Sequence, residues 1–251
     1  MVMEDVHGNY KIKVLSKIGQ GGFGYVEHIE LYNVAGHKCG NYARKLLSPE
    51  LNDEFRRRFA REVTYQASCV HNNIVHIYLC NLRAEQPWFV MNLAEGDLLK
   101  DLEAGNLSFT EKSDILRMIF NGVAYIHSRG FLHRDIKPNN VLRFNKSVYR
   151  VSDFGLVKNL DKDAESEVLT KIASAMGTTR YMAPEVLYAG DYSKQTDIFA
   201  LGLLIEDLNL VEAPGIQRVI DKSTARRPLD RYAEVSDMLK DLNLALEGKG
   251  K

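Results

Sequence analysis

The sequence is poor in cysteine: its 251 residues include three, Cys39, Cys69 and Cys80, at wide and irregular spacing. Neither a disulfide framework nor a paired-cysteine metal site fits that number and spacing, so reduced thiols are expected. An excess of one charge is also missing, since 33 Lys and Arg balance 33 Asp and Glu. A neutral chain offers no bulk attraction to nucleic acid or anionic lipid, so neither is an expected partner.

Long apolar runs and targeting segments are missing as well. The longest apolar stretch, Ile198–Ile205, is far shorter than the roughly 18 residues that span a bilayer. The N-terminal segment MVMEDVHGNY lacks the apolar core of a signal peptide. We therefore expect a cytoplasmic protein with no membrane partner. Hydrophobic residues make up 45% of the chain and charged residues 26%, as in ordinary globular domains.

Strand-like segments dominate the first third of the chain. They show alternating apolar residues between glycine-bearing turns, and they fall at 10–18, 25–32, 38–47, 74–80 and 87–93. A helix is expected between the third and fourth segments, from about Glu50 to about Cys69. Ser48 is the expected N-cap of this helix and Pro49 its first residue.

Helical spacing dominates the chain after Gly96. Apolar residues three and four apart predict helices at 110–128 and 193–208 and, with a looser pattern, at 228–246. The sequence thus predicts an α+β protein in which a β-rich lobe precedes a helical lobe.

A glycine-rich turn lies between the first two predicted strands. The segment IGQGGFG at 18–24 places Gly19, Gly21 and Gly24 in a GxGxxG pattern. Glycine permits a tight turn whose backbone N–H groups approach phosphate oxygens. The pattern alone also fits an ordinary hairpin, and a dinucleotide-binding loop would require a following helix. Because residues 25–32 predict a strand, a cover over the phosphates of ATP is favoured.

The segment HRDIKPNNVL at 133–142 is the most specific pattern in the chain, although a polar loop after a helix is the simpler alternative. It is preceded by YARK at 42–45 and followed by DFG at 153–155 and APE at 183–185. This ordered set resembles the eukaryotic-type protein kinase superfamily. The resemblance implies a two-lobed kinase fold with an N-lobe at 1–91, a hinge at 92–97 and a C-lobe at 98–251.

The resemblance assigns catalytic roles to the HRDIKPNNVL segment and to DFG. Asp135 would orient the substrate hydroxyl and accept its proton, and Lys137 would offset the charge of the transferred phosphate. Asn140 and Asp153 would hold Mg²⁺ through oxygen atoms, which suit a hard cation. ATP and Mg²⁺ are therefore the expected cofactors, and protein hydroxyls the expected substrates.

The resemblance also assigns a nucleotide site to the first lobe. Lys45 would contact the α- and β-phosphates and pair with Glu62 of the predicted helix, whereas Glu54 lies too near the helix start to be the better partner. An apolar slot with a few backbone contacts suits a purine. The residues expected to form the ATP site are Gly19, Gly21, Gly24, Val26, Ala43, Lys45, Met91, Asn92, Ala94 and Leu142.

Serine/threonine specificity is implied by Lys137 and by the segment GTTRYMAPE at 177–185, while dual specificity for tyrosine stays open. Arg134 is similar to the arginine of kinases that are switched by a phosphate in the activation segment. The kinase is expected to phosphorylate its own activation segment, with Ser174 as the first candidate site and Thr170 as the second, although both also fit ordinary loop hydroxyls.

The resemblance also implies structural roles for three positions, Glu185, Arg227 and Asp197. Glu185 would pair with a buried arginine, for which Arg227 is the match, and Asp197 would hold the catalytic loop, the segment HRDIKPNNVL at 133–142. Few residues separate Asp197 from Arg227, so the region after the helix at 193–208 is expected to be shortened. Gln66 stands where the family usually has an apolar residue, which predicts a loosely seated helix and leaves room for an activating or regulatory protein partner.

Two alternatives to a protein kinase stay open. A pseudokinase scaffold, which would bind without catalysis, would normally lack one of the five polar residues Lys45, Glu62, Asp135, Asn140 and Asp153. A small-molecule phosphotransferase with a similar fold is disfavoured by the APE segment.

Overall fold

The structure is a computed structural model that describes residues 4–154, 158–159, 179–210 and 212–248. It forms two compact units, the first within Met1–Val70 and Val75–Ala94 and the second within His71–Ile74 and Glu95–Lys251. The division between Ala94 and Glu95 falls inside the segment 92–97 that the sequence predicts as a hinge.

An antiparallel sheet of six strands, in the spatial order β1-β2-β3-β4-β6-β5, makes up most of the first unit. Its strands are β1 Glu4–His7, β2 Tyr10–Gly21, β3 Gly24–Asn33, β4 Lys38–Leu47, β5 Ile77–Asn81 and β6 Trp88–Asn92. The sequence predicted all of them except β1. One face of the sheet carries a buried core formed by Ile12, Ile29, Leu31, Leu46, Trp88 and Val90.

Strand β1 is held in place by side chains as well as by its pairing with β2. The guanidinium of Arg44 on β4 is buried and lies 2.9 Å from a carboxylate oxygen of Asp5. The same guanidinium lies 2.8 Å from Glu27 on β3. The ring of His7 packs edge-on against Trp88 with centroids 4.9 Å apart. These contacts stabilise the short polar segment Glu4–His7 as a strand of the sheet.

Helix α1, Asp53–Ser68, begins later than the sequence predicted. Its N-cap is Asn52, whose side chain accepts hydrogen bonds from two backbone N–H groups of the first turn. The prediction that Ser48 caps the helix and that Pro49 opens it is therefore wrong. The backbone N–H of Ser48 instead donates to the carbonyl of Phe23 at 2.9 Å, which ties the end of β4 to the glycine turn.

The second unit is mainly helical among the described residues. Its helices are α2 Leu98–Ala104, α3 Phe109–Ser128, α4 Pro184–Ala189, α5 Lys194–Leu208, α6 Ile216–Ser223 and α7 Val235–Glu247. Its short strands are β7 Gly96–Asp97, β8 Phe131–Leu132, β9 Val141–Phe144, β10 Val148–Val151 and β11 Lys158–Asn159. Helix α3 begins at a capping box formed by Ser108 and Glu111.

Helices α5 and α6, which are joined by the short segment 209–215, pack very closely. A Cβ atom at Gly202 would clash with the hydroxyl of Ser223, which is fully buried. Glycine therefore permits α6 to lie directly against α5. The predicted helix at 228–246 is a 3₁₀ turn at Pro228–Asp230 followed by α7. Within the described ranges no helix has the length and apolar character needed to cross a membrane.

Candidate active site

Residues of the predicted nucleotide site share one face of the six-stranded sheet. The register places Val26 opposite Lys45, and Ala43 opposite Met91. Directly opposite residues project to the same face, as do residues two apart along a strand. Phe89 lies opposite Lys45 and joins this face. The sheet thus presents a patch of small and apolar side chains around one lysine, on the face opposite its core.

The three glycines of the turn differ in what surrounds them. Gly21 lies opposite Gly24, where β2 and β3 close the turn. A Cβ atom at Gly24 would clash with the carbonyl oxygen of Leu46, whereas one at Gly21 would meet no heavy atom within 4 Å. Gly19 has only ordinary contact with Val26. Gly24 is therefore required for strand packing, while Gly21 keeps space above the turn.

Lys45 and Glu62 form an ion pair within the first unit. The ammonium nitrogen of Lys45 lies 2.6 Å from a carboxylate oxygen of Glu62, which is buried in the middle of α1. The ring of Phe59, three residues before Glu62, packs on the ring of Phe89 with centroids 5.4 Å apart. Glu54 is exposed in the first turn of the helix. The helix therefore presents Glu62 to β4.

The end of β6 carries the predicted adenine-reading residues. Met91 is buried, and the side-chain amide of Asn92 donates a hydrogen bond to the phenolic oxygen of Tyr78 at 2.8 Å. Ala94 is the last residue of the first unit, and Leu142 lies on β9 in the second. The contact of Tyr78 with this segment had no signal in the sequence.

Gln66 is buried on α1, and its amide nitrogen donates to the carbonyl of Val75 at 2.9 Å. This bond ties the helix to the segment before β5, whereas the sequence predicted a loosely seated helix. The amide oxygen makes no hydrogen bond to any residue in the described part of the chain. The hydrogen bond of the amide nitrogen therefore offsets part of the cost of burying the Gln66 side chain.

In the second unit, Asp135 lies at the centre of a polar cluster. The ammonium of Lys137 is 2.8 Å from one carboxylate oxygen of Asp135, and the amide nitrogen of Asn140 is 2.8 Å from the same oxygen. That nitrogen also donates to the carbonyl of Asp135 at 2.7 Å. Burial raises the pKa of Asp135, the ammonium of Lys137 opposes this rise, and the carboxylate of Asp153 adds to it.

Asn140 and Asp153, the residues predicted to hold a divalent cation, carry amide and carboxylate oxygen atoms. Because the amide nitrogen of Asn140 donates to Asp135, the amide oxygen is the atom of this side chain that could contact a cation. Asp153 has a left-handed backbone with φ of 63°, a conformation that few non-glycine residues adopt. Carboxylate and amide oxygens are the ligands that hard divalent cations take.

Asp197 on α5 anchors the catalytic loop. Its carboxylate accepts hydrogen bonds from the backbone N–H groups of His133 and Arg134, both at 2.8 Å. The ring of His127 on α3 lies 2.7 Å from the same carboxylate. Burial by itself would raise the pKa of Asp197, but the contacts with His127, His133 and Arg134 outweigh it and the pKa is lowered.

The ring of His133 links the catalytic loop to the strand that leads to Asp153. Its Nδ1 accepts from the backbone N–H of Asp135 at 3.3 Å, and its Nε2 lies 3.0 Å from the carbonyl of Ser152. Nδ1 thus accepts a hydrogen bond, and Nε2 is placed to donate one. Phe154 packs edge-on against this ring with centroids 5.3 Å apart. The segment around Asp153 is thus attached to the catalytic loop.

Glu185 pairs with Arg231, so the prediction of Arg227 is wrong. Two hydrogen bonds of 2.6 and 2.8 Å join the guanidinium of Arg231 to the carboxylate of Glu185. Arg227 has a largely exposed side chain and lies 4.0 Å from Asp230. Arg231 is buried, and its guanidinium also donates hydrogen bonds to three backbone carbonyls, those of Gln195, Ala225 and Arg226.

Arg134 contacts a residue that the sequence did not single out. Its guanidinium carbon lies 3.6 Å from the centroid of the Tyr192 ring, and its backbone has a φ of 70°. Both residues line a pocket beside Asp135, together with Ile136, Tyr181, Met182, Ala183, Val186, Thr196, Asp197 and Ala200. The candidate phosphosites Ser174 and Thr170 lie outside the described residues.

Comparisons with known proteins agree with this geometry. A family model described as Protein kinase domain matches residues 12–243. Serine/threonine-protein kinase PrkC of Bacillus subtilis is 29% identical over 228 residues, which cover 78% of this chain and 35% of that protein. Serine/threonine-protein kinase H1 homolog of Danio rerio is 35% identical over 211 residues, which cover 79% of this chain and 46% of that protein. The chain spans less than half the length of these two relatives.

Proposed function

Because the chain belongs to the protein kinase domain family, we propose that it transfers the γ-phosphate of ATP to serine and threonine hydroxyls of proteins. The observation that carries this proposal is the cluster around Asp135, where a partly buried carboxylate contacts both Lys137 and Asn140. Serine/threonine specificity is supported by Lys137 and by the two serine/threonine-protein kinases to which the chain is similar.

The first unit supplies groups that suit a nucleotide. Lys45 is fixed by Glu62 and is set to contact the α- and β-phosphates of ATP. Val26, Ala43 and Met91 provide small and apolar side chains on the same sheet face, which suit a purine ring. The empty space above Gly21 lets backbone N–H groups approach a phosphate.

The second unit supplies groups that suit the transfer step. Asp135 would accept a hydrogen bond from the substrate hydroxyl and take its proton as the hydroxyl oxygen bonds to the γ-phosphorus of ATP. The bond from that phosphorus to the bridging oxygen of the β-phosphate breaks in the same step, and ADP leaves. Lys137 would balance the charge of the phosphate oxygens, since its ammonium already lies within the cluster. Asn140 and Asp153 would hold Mg²⁺, which supplies positive charge to the phosphates when bound.

The anchors of the catalytic loop support this role by limiting its motion. Asp197 fixes the backbone on the N-terminal side of Asp135 through His133 and Arg134. Asn140 fixes it on the other side by donating to the carbonyl of Asp135. A carboxylate held at both sides pays little ordering entropy in the transition state. We also propose that Ser174, with Thr170 second, is a site of autophosphorylation that would engage Arg134.

Transfer of labelled phosphate tests the proposal. The protein is incubated with Mg-ATP, with and without a generic protein substrate and a panel of small alcohols, beside the variant Asp135→Asn. We expect label on serine and threonine of protein, and its loss in the variant. Nucleotide binding without any transfer would favour a scaffold, and label confined to small alcohols would favour a small-molecule phosphotransferase.

A further inference from the structure

Three side chains of the first unit form an aromatic clamp: Phe23 of the glycine turn with Phe55 and Arg58 of α1. The rings of Phe23 and Phe55 are stacked, with centroids 5.1 Å apart and an interplanar angle of 30°. The guanidinium carbon of Arg58 lies 5.2 Å from the Phe23 centroid and 5.8 Å from the Phe55 centroid. A residue of the turn is thus held by two residues of a helix that follows β4.

The burial of Arg58 shows that this contact is part of the packed structure. Arg58 is 8% exposed, whereas its neighbour Arg57 is exposed to solvent. A cation over an aromatic face is attracted more strongly when both are removed from water. Offset aromatic stacking adds to the attraction. The clamp therefore has two physical components that separate variants can remove.

The clamp lies on the same face of α1 as the ion pair with Lys45. Phe55, Arg58 and Glu62 are spaced by three and four residues, which places them on one side of a helix. Near the start of the helix, Phe55 and Arg58 on this face contact the glycine turn. One helical turn after Arg58, Glu62 on the same face contacts Lys45 of β4. One rigid element is therefore attached to both phosphate-binding features.

We propose that the aromatic clamp positions the glycine turn for nucleotide binding, so that the turn and the Lys45–Glu62 pair are set together by α1. The inference rests on the proposed function, in which both features contact phosphate. A turn rich in glycine loses much conformational freedom when it is ordered by a ligand. A contact that orders the turn beforehand reduces this loss and raises affinity. Phe23, Phe55 and Arg58 are thus positioning residues.

Nucleotide affinity of clamp variants tests this proposal. In Phe23→Ala and Arg58→Gln we expect affinity for Mg-ATP, measured by calorimetry, to fall about tenfold, as for the loss of one buried cation–π or stacking contact. The KM for ATP should rise correspondingly while kcat at saturating ATP stays near that of the wild type. Arg57→Gln is the matched control and Phe23→Tyr the rescue, and both should bind like the wild type.

Hydrogen exchange in the nucleotide-free protein gives a readout that needs no activity. Backbone amides of residues 20–24 should exchange faster in Arg58→Gln than in Arg57→Gln, because the turn is released from α1. If Phe23→Ala fails to fold, Phe23→Leu keeps the apolar volume and removes the stacking. Clamp variants with unchanged exchange and unchanged affinity would overturn the proposal.

A double-mutant cycle tests the link to the ion pair. If α1 sets both features together, the effects of Phe23→Ala and Glu62→Gln on nucleotide affinity should be non-additive. Additive effects would show that the turn and the ion pair act independently. A wild-type protein that binds no Mg-ATP would overturn both the clamp and the kinase proposal. One that binds Mg-ATP without transferring phosphate would overturn the kinase proposal alone.

Discussion

Arg231 and Glu185 form a two-point ion pair, with N–O distances of 2.6 and 2.8 Å, in which the arginine side chain is completely buried. The guanidinium also lies over the ring of Phe199 at 4.8 Å from its centroid. Because a lone charge in this place would lack solvation, each partner is needed by the other. The pair joins α4, which carries the APE segment, to the chain that leads into α7.

Removing the buried arginine should therefore destabilise the domain strongly. We expect Arg231→Ala to lower the free energy of unfolding by about 3–5 kcal/mol, because it leaves the carboxylate of Glu185, whose side chain is only 14% exposed, without its partner. Arg227→Ala is the control, and its exposed ion pair should be worth less than about 1 kcal/mol. Urea unfolding of both variants measures the difference. Equal losses would contradict the assignment of Arg231.

Alanine substitution should separate the roles of the two glycines that close the turn. Gly24→Ala is expected to destabilise by about 1–3 kcal/mol, because the added carbon clashes with the carbonyl of Leu46. Gly21→Ala meets no neighbour and should leave the melting temperature nearly unchanged while weakening nucleotide binding. Thermal unfolding and calorimetry measure the two effects. A large loss of stability in Gly21→Ala would show that its surroundings are not open.

Asp197 should make stability depend on acidity. The pKa of Asp197 is lower in the folded protein than in the unfolded chain. Its contribution to the free energy of unfolding is therefore fully present above the unfolded pKa of about 3.9 and is lost as the pH falls through the folded pKa. The difference in unfolding free energy between the wild type and Asp197→Asn should therefore be largest near neutral pH and shrink on acidification. Urea unfolding at several pH values measures it. A difference that is independent of pH would contradict the lowered pKa.

The sequence predicted five of the six strands of the first unit and the long helices, because alternation and helical spacing are local properties. It did not predict β1, whose position depends on the buried contact between Asp5 and Arg44, residues far apart in the chain. It also placed the N-cap of α1 at Ser48 rather than at Asn52. Both residue types cap helices well, and the hydrogen bond from Ser48 to the glycine turn decides between them.

The sequence also named the residues that meet around Asp135, because their spacing is short and specific. The arginine partner of Glu185 was harder to assign. Arg227 and Arg231 lie four positions apart in one segment, and nothing in their residue type separates them. The choice depends on the backbone carbonyls that surround Arg231, which exist only in the folded chain. The stacking of Tyr192 on Arg134 was missed for the same reason.

We propose that Asp135 takes part in phosphoryl transfer rather than in nucleotide binding. Its most direct test compares the single-turnover transfer rate and the Mg-ATP affinity of the wild type with those of Asp135→Asn. The variant keeps the shape of the side chain and removes the charge that accepts the proton. We predict a transfer rate at least about 100-fold lower with nearly unchanged affinity. Equal transfer rates in the two proteins would contradict the account.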